Sequence, residues 1–294
     1  MKKRSLLIGL FIFIFIAIFF FIFVYGSTIF FENTPIADDK IALIRITGVI
    51  LESGNTIEEL DKFNQNPSIK AIILRIDSPG GGVVPSQEIY EEVKKIKSEG
   101  KKKIVVSMGS VAASGGYYIA SASDKIMANP GTLTGSIGVI MELANFEGIL
   151  NKVGIESVVI KSGEVKDIGS PFRKMSDKER GLLQSLLDDI HGQFIDAVAQ
   201  GRGLKREDVR QLADGRVFTG RQARDIGLVD EIGDLQDAIK LAGDLVGIKG
   251  KPKIIETKKR FSIIDFFRDF SLLNMEKLMP SRRGTININY LLAF

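Results

Sequence analysis

The sequence predicts an α/β fold with a largely parallel sheet. Short apolar runs, IALIRI at 41–46, IKAIILRI at 69–76 and KIVVSM at 103–108, read as strands. Segments with helical spacing alternate with them, the pattern of a sheet covered by helices. No self-similarity at a period of 20 to 50 residues argues for a repeat architecture.

The elements follow in chain order. Residues 6–25, LLIGLFIFIFIAIFFFIFVY, carry no charge and are long enough to cross the ~30 Å hydrocarbon core as a helix. The preceding MKKR is positive and should stay in the cytoplasm. No A-x-A cleavage site follows, so an uncleaved anchor over residues 5–25 is expected, with residues 1–4 inside and the rest outside. A cleaved signal peptide is the competing reading. After the second strand comes DSPGGG at 77–82, then a helix over 84–97 with Val84, Ile89, Val93 and Ile96 at helical spacing. The third strand runs into VAASGGYYI at 111–119, with a short buried helix over 115–121. Strands are expected over 124–128, 135–141 and 157–161, and a helix over 146–153. Residues 177–200 form a long amphipathic helix with Leu183, Leu186, Leu187, Ile190 and Phe194 on one face. Helices over 204–213, 221–226 and 235–246 complete a body expected to span 38–250.

From Lys251 on, basic residues mix with Phe and Leu, giving a separate basic tail over 251–294. Its apolar residues, among them Ile263, Phe267, Phe270 and Leu273, have helical spacing. Three readings stand: a helix on anionic lipid, a helix packed on the body or a neighbouring subunit, or the apolar end NYLLAF lying in a substrate groove.

Charge and composition exclude several function classes. The net charge is +4, yet Lys2, Lys3, Arg4 and the tail hold more than all of it, so the body is mildly acidic. That body has no basic cluster interleaved with aromatics, and a nucleic-acid binder is not indicated. With no cysteine there is no disulfide and no thiol nucleophile. A single histidine, His191, makes a zinc site improbable as well. No metal or organic cofactor is expected.

Two loops carry the chemistry. The glycines of DSPGGG permit backbone conformations closed to other residues and can aim N–H groups at one point. A plain tight turn or a phosphate loop is also compatible, although no G-K-[ST] follows. In VAASGGYYI, Ser114 stands at the start of a helix among Ala112, Ala113, Gly115 and Gly116, small enough for a peptide backbone to reach the hydroxyl. A helix-capping serine would not need such neighbours. A serine nucleophile needs a base. His191 lies on the long helix, far in sequence from both loops, so a Ser-His-Asp arrangement is disfavoured. A lysine held neutral by burial could serve. KSGEVKDIGSPFRKMS offers Lys161, Lys166 and Lys174, and the residues alone do not choose among them.

DSPGGG, GSVAASGGYYIA, NPGTLTGSIGVI, KSGEVKDIGSPFRKMSDKER and GRVFTGRQARDIGLVDEIG together resemble the signal peptide peptidase A family, in order and spacing, over residues 41–247. The resemblance implies a ClpP/crotonase-like fold of repeated ββα units and a membrane-anchored Ser-Lys endopeptidase of the short, single-domain form. It places the nucleophile on Ser114, the general base on Lys166, the oxyanion donors on the N–H groups of Gly81 and Ser114, and a lysine-orienting hydroxyl on Ser136. It implies apolar peptide substrates such as signal-peptide remnants, an extracytoplasmic site at the cell membrane, and a ring-shaped homo-oligomer in which Ser114 of one protomer meets Lys166 of the next. An acyl-CoA enzyme on the same fold, or a non-proteolytic membrane scaffold, are the rival readings.

Overall fold

The computed structural model describes residues 14–21, 39–257 and 289–291. The chain divides into two units, Met1–Asp38 and Asp39–Phe294. In the first, residues 14–21 form an exposed helix, α1. The rest of the expected 5–25 span lies outside the described residues. Among the described residues, no helix is long and apolar enough to cross a membrane.

The second unit is an α/β layer structure. β1 (Lys40–Thr47), β2 (Ile69–Ser78) and β4 (Lys103–Ala113) form its centre, all parallel. Their side chains are buried on both faces, which is why the sequence shows unbroken apolar runs rather than alternation. α2 (Gly54–Gln65) crosses from β1 to β2, and α3 (Val83–Glu99) from the glycine strand β3 (Gly80–Gly82) to β4. α3 starts and stops within two residues of the expected bounds, ending at Gly100 in the left-handed conformation. α4 (Gly115–Ser121) lies where expected and is wholly buried.

β4 then serves two neighbours. Its first half pairs with β5 (Lys125–Ala128), itself beside β8 (Glu231–Ile232). Its last residues, Val111 to Ala113, pair with β6 (Leu133–Gly135), which continues antiparallel to β7 (Val217–Thr219). This fork carries the end of β4 away from the first half of the sheet and presents Ser114 at its tip. The long α6 (Asp177–Arg202) begins with a capping box at Ser176 and Glu179 and buries Phe194, Ile195 and Val198 in the main core. α7 (Arg206–Leu212), α8 (Gly220–Asp225) and α9 (Leu235–Leu245) follow, α9 covering the opposite sheet face with Ala238, Ile239 and Ala242.

Three expectations need correction. The strand expected over 135–141 is only Leu133–Gly135, because Ser136 turns the chain with a positive φ. Residues 157–161 are exposed and form no strand, because among the described residues no sheet edge pairs with them. α5 (Glu147–Val153) falls where the helix over 146–153 is expected. Finally, the sheet does not stop at Gly250. β9 (Lys253–Glu256) adds to its edge, parallel to β1, and β10 (Asn289–Leu291) pairs antiparallel with β3.

Candidate active site

The site forms where the glycine strand, the tip of β4 and β10 converge. Gly80 has φ +103, and a Cβ there would lie 2.2 Å from the Tyr290 carbonyl oxygen, 2.8 Å from Gly115 N and 3.1 Å from Ser114 Cβ. A Cβ on Gly81 would collide with the Ile50 carbonyl at 2.1 Å. The glycines are thus required by close backbone approach on both sides of β3, as the sequence suggested. Ile50 N–H donates to Gly80 O at 2.9 Å, and Gly82 N–H donates to Ile50 O at 2.8 Å. Successive peptide groups of a strand face opposite edges. The N–H and C=O of Gly81 therefore face β10, where Tyr290 is its register partner.

Ser114 has φ 53 and ψ −118, and Ser136 has φ 50. They are the two described non-glycine residues with positive φ. Such strain persists only where surrounding structure enforces it, and it collects at functional sites. Here Ala113 pairs with Gly135, so the two serines follow each other across neighbouring strands. Ser114 is 1% exposed, and its Oγ has no hydrogen-bond partner among the described residues. A buried, unpaired hydroxyl is unfavourable unless another group is meant to meet it.

The Ser114 N–H donates to Gly135 O at 2.8 Å. That donor is therefore already engaged, contrary to its expected oxyanion role. The N–H of Gly115, at the first position of α4, is not used by the helix ladder and lies at the same corner. Ser136 N–H donates to Arg216 O at 2.9 Å.

Lys166 makes no hydrogen bond to the Ser114 hydroxyl in the protomer. It is exposed, on an arm in which none of residues 138–178 is buried. Lys161 is taken up by Asp167 at 2.5 Å and by Glu164 O at 2.6 Å, and Lys174 is exposed. His191 is partly exposed on α6, and its Nε2 has no partner among the described residues, so no Ser114–His191 bond exists. The arm displays Phe146, Ile149, Ile155, Val158, Val159 and Ile160 to solvent.

The groove in front of Ser114 holds the chain's own β10. Asn289 exchanges both backbone hydrogen bonds with Ile140, at 3.1 and 3.2 Å, while Tyr290 faces Gly81 on the other edge. The Tyr290 side chain is fully buried against Tyr118 (centroids 5.2 Å, stacked) and Phe194 (4.8 Å), and its hydroxyl donates to Ile190 O at 3.3 Å. Burial pushes the Tyr118 hydroxyl up to about 12 and raises that of Tyr290 further, so both rings are neutral. Of the three readings of the tail, the structure places NYL of the apolar end in the groove; residues 258–288 lie outside those described.

Residues 96–249 match peptidase family S49, and residues 47–133 match the Clp protease family. The chain belongs to peptidase family S49. It is a serine peptidase on an α/β, ClpP-like fold. A Synechocystis protein named as a protease is 48% identical over 210 residues, covering 71% of this chain and 75% of its own. An Enterococcus faecium protein that carries the name signal peptide peptidase SppA is 38% identical, over 73% of this chain and 67% of its own. The chloroplastic serine protease SPPA of Arabidopsis thaliana is 32% identical over 74% of this chain but 34% of its own.

Within this S49 chain, sequence reasoning had missed the aromatic wall of the groove. Tyr118 stood in the quoted motif and Phe194 on the apolar face of the long helix. Neither carries a sequence signal that separates a groove wall from core. Arg173, which the structure ties to the residue after Lys166, was also passed over.

Proposed function

We propose that this chain is a membrane-anchored Ser-Lys endopeptidase that cuts extended apolar peptides, among them signal-peptide remnants, on the extracytoplasmic side. The observation that carries the reading is β10. An extended segment of peptide already lies along Gly81, with the Tyr290 carbonyl oxygen at the corner shared by Ser114 and Gly115. A substrate strand added in the same way would bring its scissile carbonyl to the hydroxyl.

The chemistry then follows. Lys166 takes the proton of Ser114 Oγ as the oxygen bonds to the carbonyl carbon. The oxyanion forms where the Tyr290 oxygen now sits, and the Gly81 N–H, with the Gly115 N–H beside it, stabilises it. The lysine passes its proton to the leaving amine, and water releases the acyl group by the same route. The peptide pocket is aromatic, which suits apolar substrates. Ser136, one strand across from Ser114, would hold the lysine in place.

Lys166 comes from a neighbouring protomer in this reading. The partnerless Ser114 hydroxyl, the exposed Lys166 and the apolar arm support it, since apolar patches of this kind mark interaction surfaces. The test is complementation. Ser114→Ala and Lys166→Ala should each be inactive, His191→Ala active, and a co-assembled mixture of the two inactive proteins should regain turnover. A fluorophosphonate should label Ser114, which neither the scaffold nor the acyl-CoA reading expects. Activity in Lys166→Ala alone would remove the dyad; verified co-assembly without rescue would place it within one chain.

A further inference from the structure

The residue after Lys166 is the end of a charged relay that reaches the core. Asp167 accepts from Arg173 Nε at 2.7 Å and from Arg173 Nη2 at 2.8 Å, and Lys161 supports it from the side at 2.5 Å. The opposite edge of the same guanidinium donates to Glu179, with Nη1 at 2.9 Å and a second bond from Nη2. Glu179 is buried, and its carboxylate also takes the N–H and hydroxyl of Ser176, each at 2.9 Å, in the capping box of α6. α6 in turn is fixed through Phe194, Ile195 and Val198.

Beyond the start of the arm, where Val139 packs on the core and Ile140 pairs with Asn289, little else holds it within the protomer. None of residues 138–178 is buried, so apolar packing does not set the position of the Lys166 loop. Its turns, such as Lys166 N–H to Gly163 O and Ser170 N–H to Asp167 O, shape the loop without joining it to the body. The Lys178–Glu164 pair does join them, but both side chains are mostly exposed, and such pairs contribute little.

We propose that Arg173 is a positioning residue for the Lys166 side chain, clamping the loop to the first turn of α6 through Asp167 and Glu179. The inference rests on Lys166 being the base. The planar guanidinium suits the task because it serves two carboxylates at once from a rigid fork, which a lysine ammonium does not. The Arg173 hydrogen bonds hold both carboxyls well below their usual range, so the clamp is fully ionised wherever the enzyme would work.

The test uses the full-length chain with Arg173→Met, Arg173→Lys, Arg173→Gly and Asp167→Asn, beside Lys166→Ala. A base displaced by about 1 Å costs on the order of 10²-fold. Arg173→Met and Arg173→Lys should therefore lose about 10²-fold in kcat with KM for a short peptide unchanged. Fluorophosphonate labelling of Ser114 should slow in parallel. Free guanidinium should restore kcat to Arg173→Gly and not to Lys166→Ala. A role in stability alone would lower the melting temperature without this rescue or the kcat-only loss. If the Arg173 variants fail to fold, Asp167→Asn, which loosens only the loop end, carries the same expectation. Wild-type kcat in folded Arg173→Met beside inactive Lys166→Ala overturns the clamp and leaves the base assignment intact. An active Lys166→Ala removes the base, and the positioning role with it.

Discussion

Removing the chain's own strand from the groove should open the site to substrate. The perturbation is Tyr290→Ala, or deletion of residues 289–294. Tyr290 is fully buried, and burying so large a side chain contributes about 2–3 kcal/mol. Its contacts with the Tyr118 and Phe194 rings, at 5.2 and 4.8 Å, add about 0.5–1.5 kcal/mol each. Replacement by Ala keeps the backbone pairing and the cost of ordering it, so those terms cancel. Docking should weaken by at least about 3 kcal/mol, or roughly 10²-fold at 1.4 kcal/mol per tenfold. A tethered strand competes with substrate but leaves the emptied site unchanged. KM for a short apolar peptide should therefore fall by about 10²-fold with kcat constant. The assay is steady-state hydrolysis of a fluorogenic peptide by assembled protein. A synthetic NYLLAF peptide added to the truncated enzyme should inhibit competitively. If KM is the same in wild type, Tyr290→Ala and the deletion, with assembly verified, β10 does not restrict the site and the reasoning is wrong.

Two further outcomes follow from the same geometry. Gly81→Ala puts a methyl within 2.1 Å of the Ile50 carbonyl, so β3 must move; turnover and direct binding of the NYLLAF peptide should be lost together while far-ultraviolet circular dichroism keeps the native fold. Glu179 is held down to about 2, chiefly by the Arg173 hydrogen bonds. A carboxyl whose pKa is lowered by folding stabilises fully above its unfolded value of about 4.3 and loses that contribution as pH falls through the folded value. The urea midpoint of the wild type should thus decline between about pH 4 and 2, and Glu179→Gln should show a lower midpoint at pH 7 with a flatter acid slope. An identical acid slope in both would remove the assignment.

The central sheet was legible because burial on both faces writes itself into composition: Ile41 to Ile46, Ile69 to Ile76 and Lys103 to Met108 have no polar alternation to confuse the reading. α3 was legible through its spacing and the glycine that ends it, and α4 through the two glycines that open it. The small residues around Ser114 and the glycines at 80–82 also spoke for themselves, because close backbone approach permits few side chains. The arm over 138–178 misled for the opposite reason. Its Val and Ile residues at 157–161 look like a strand, yet they pair with no strand among the described residues.

The residues alone specify a parallel α/β sheet, a serine set among small residues at the head of a short helix, and a glycine-rich turn after the second strand, since these depend on contacts local in the chain or on burial alone. Only the tertiary structure decided the rest. It committed the Ser114 N–H to Gly135, left the Ser114 hydroxyl without a partner, tied the Lys166 loop to α6 through Arg173, and laid Asn289–Leu291 along Gly80–Gly82. Each joins residues through backbone groups that every residue carries, or through charges that sit equally well in solvent. Such pairings have no signature in residue type, so they are fixed only when the whole fold brings the two segments together.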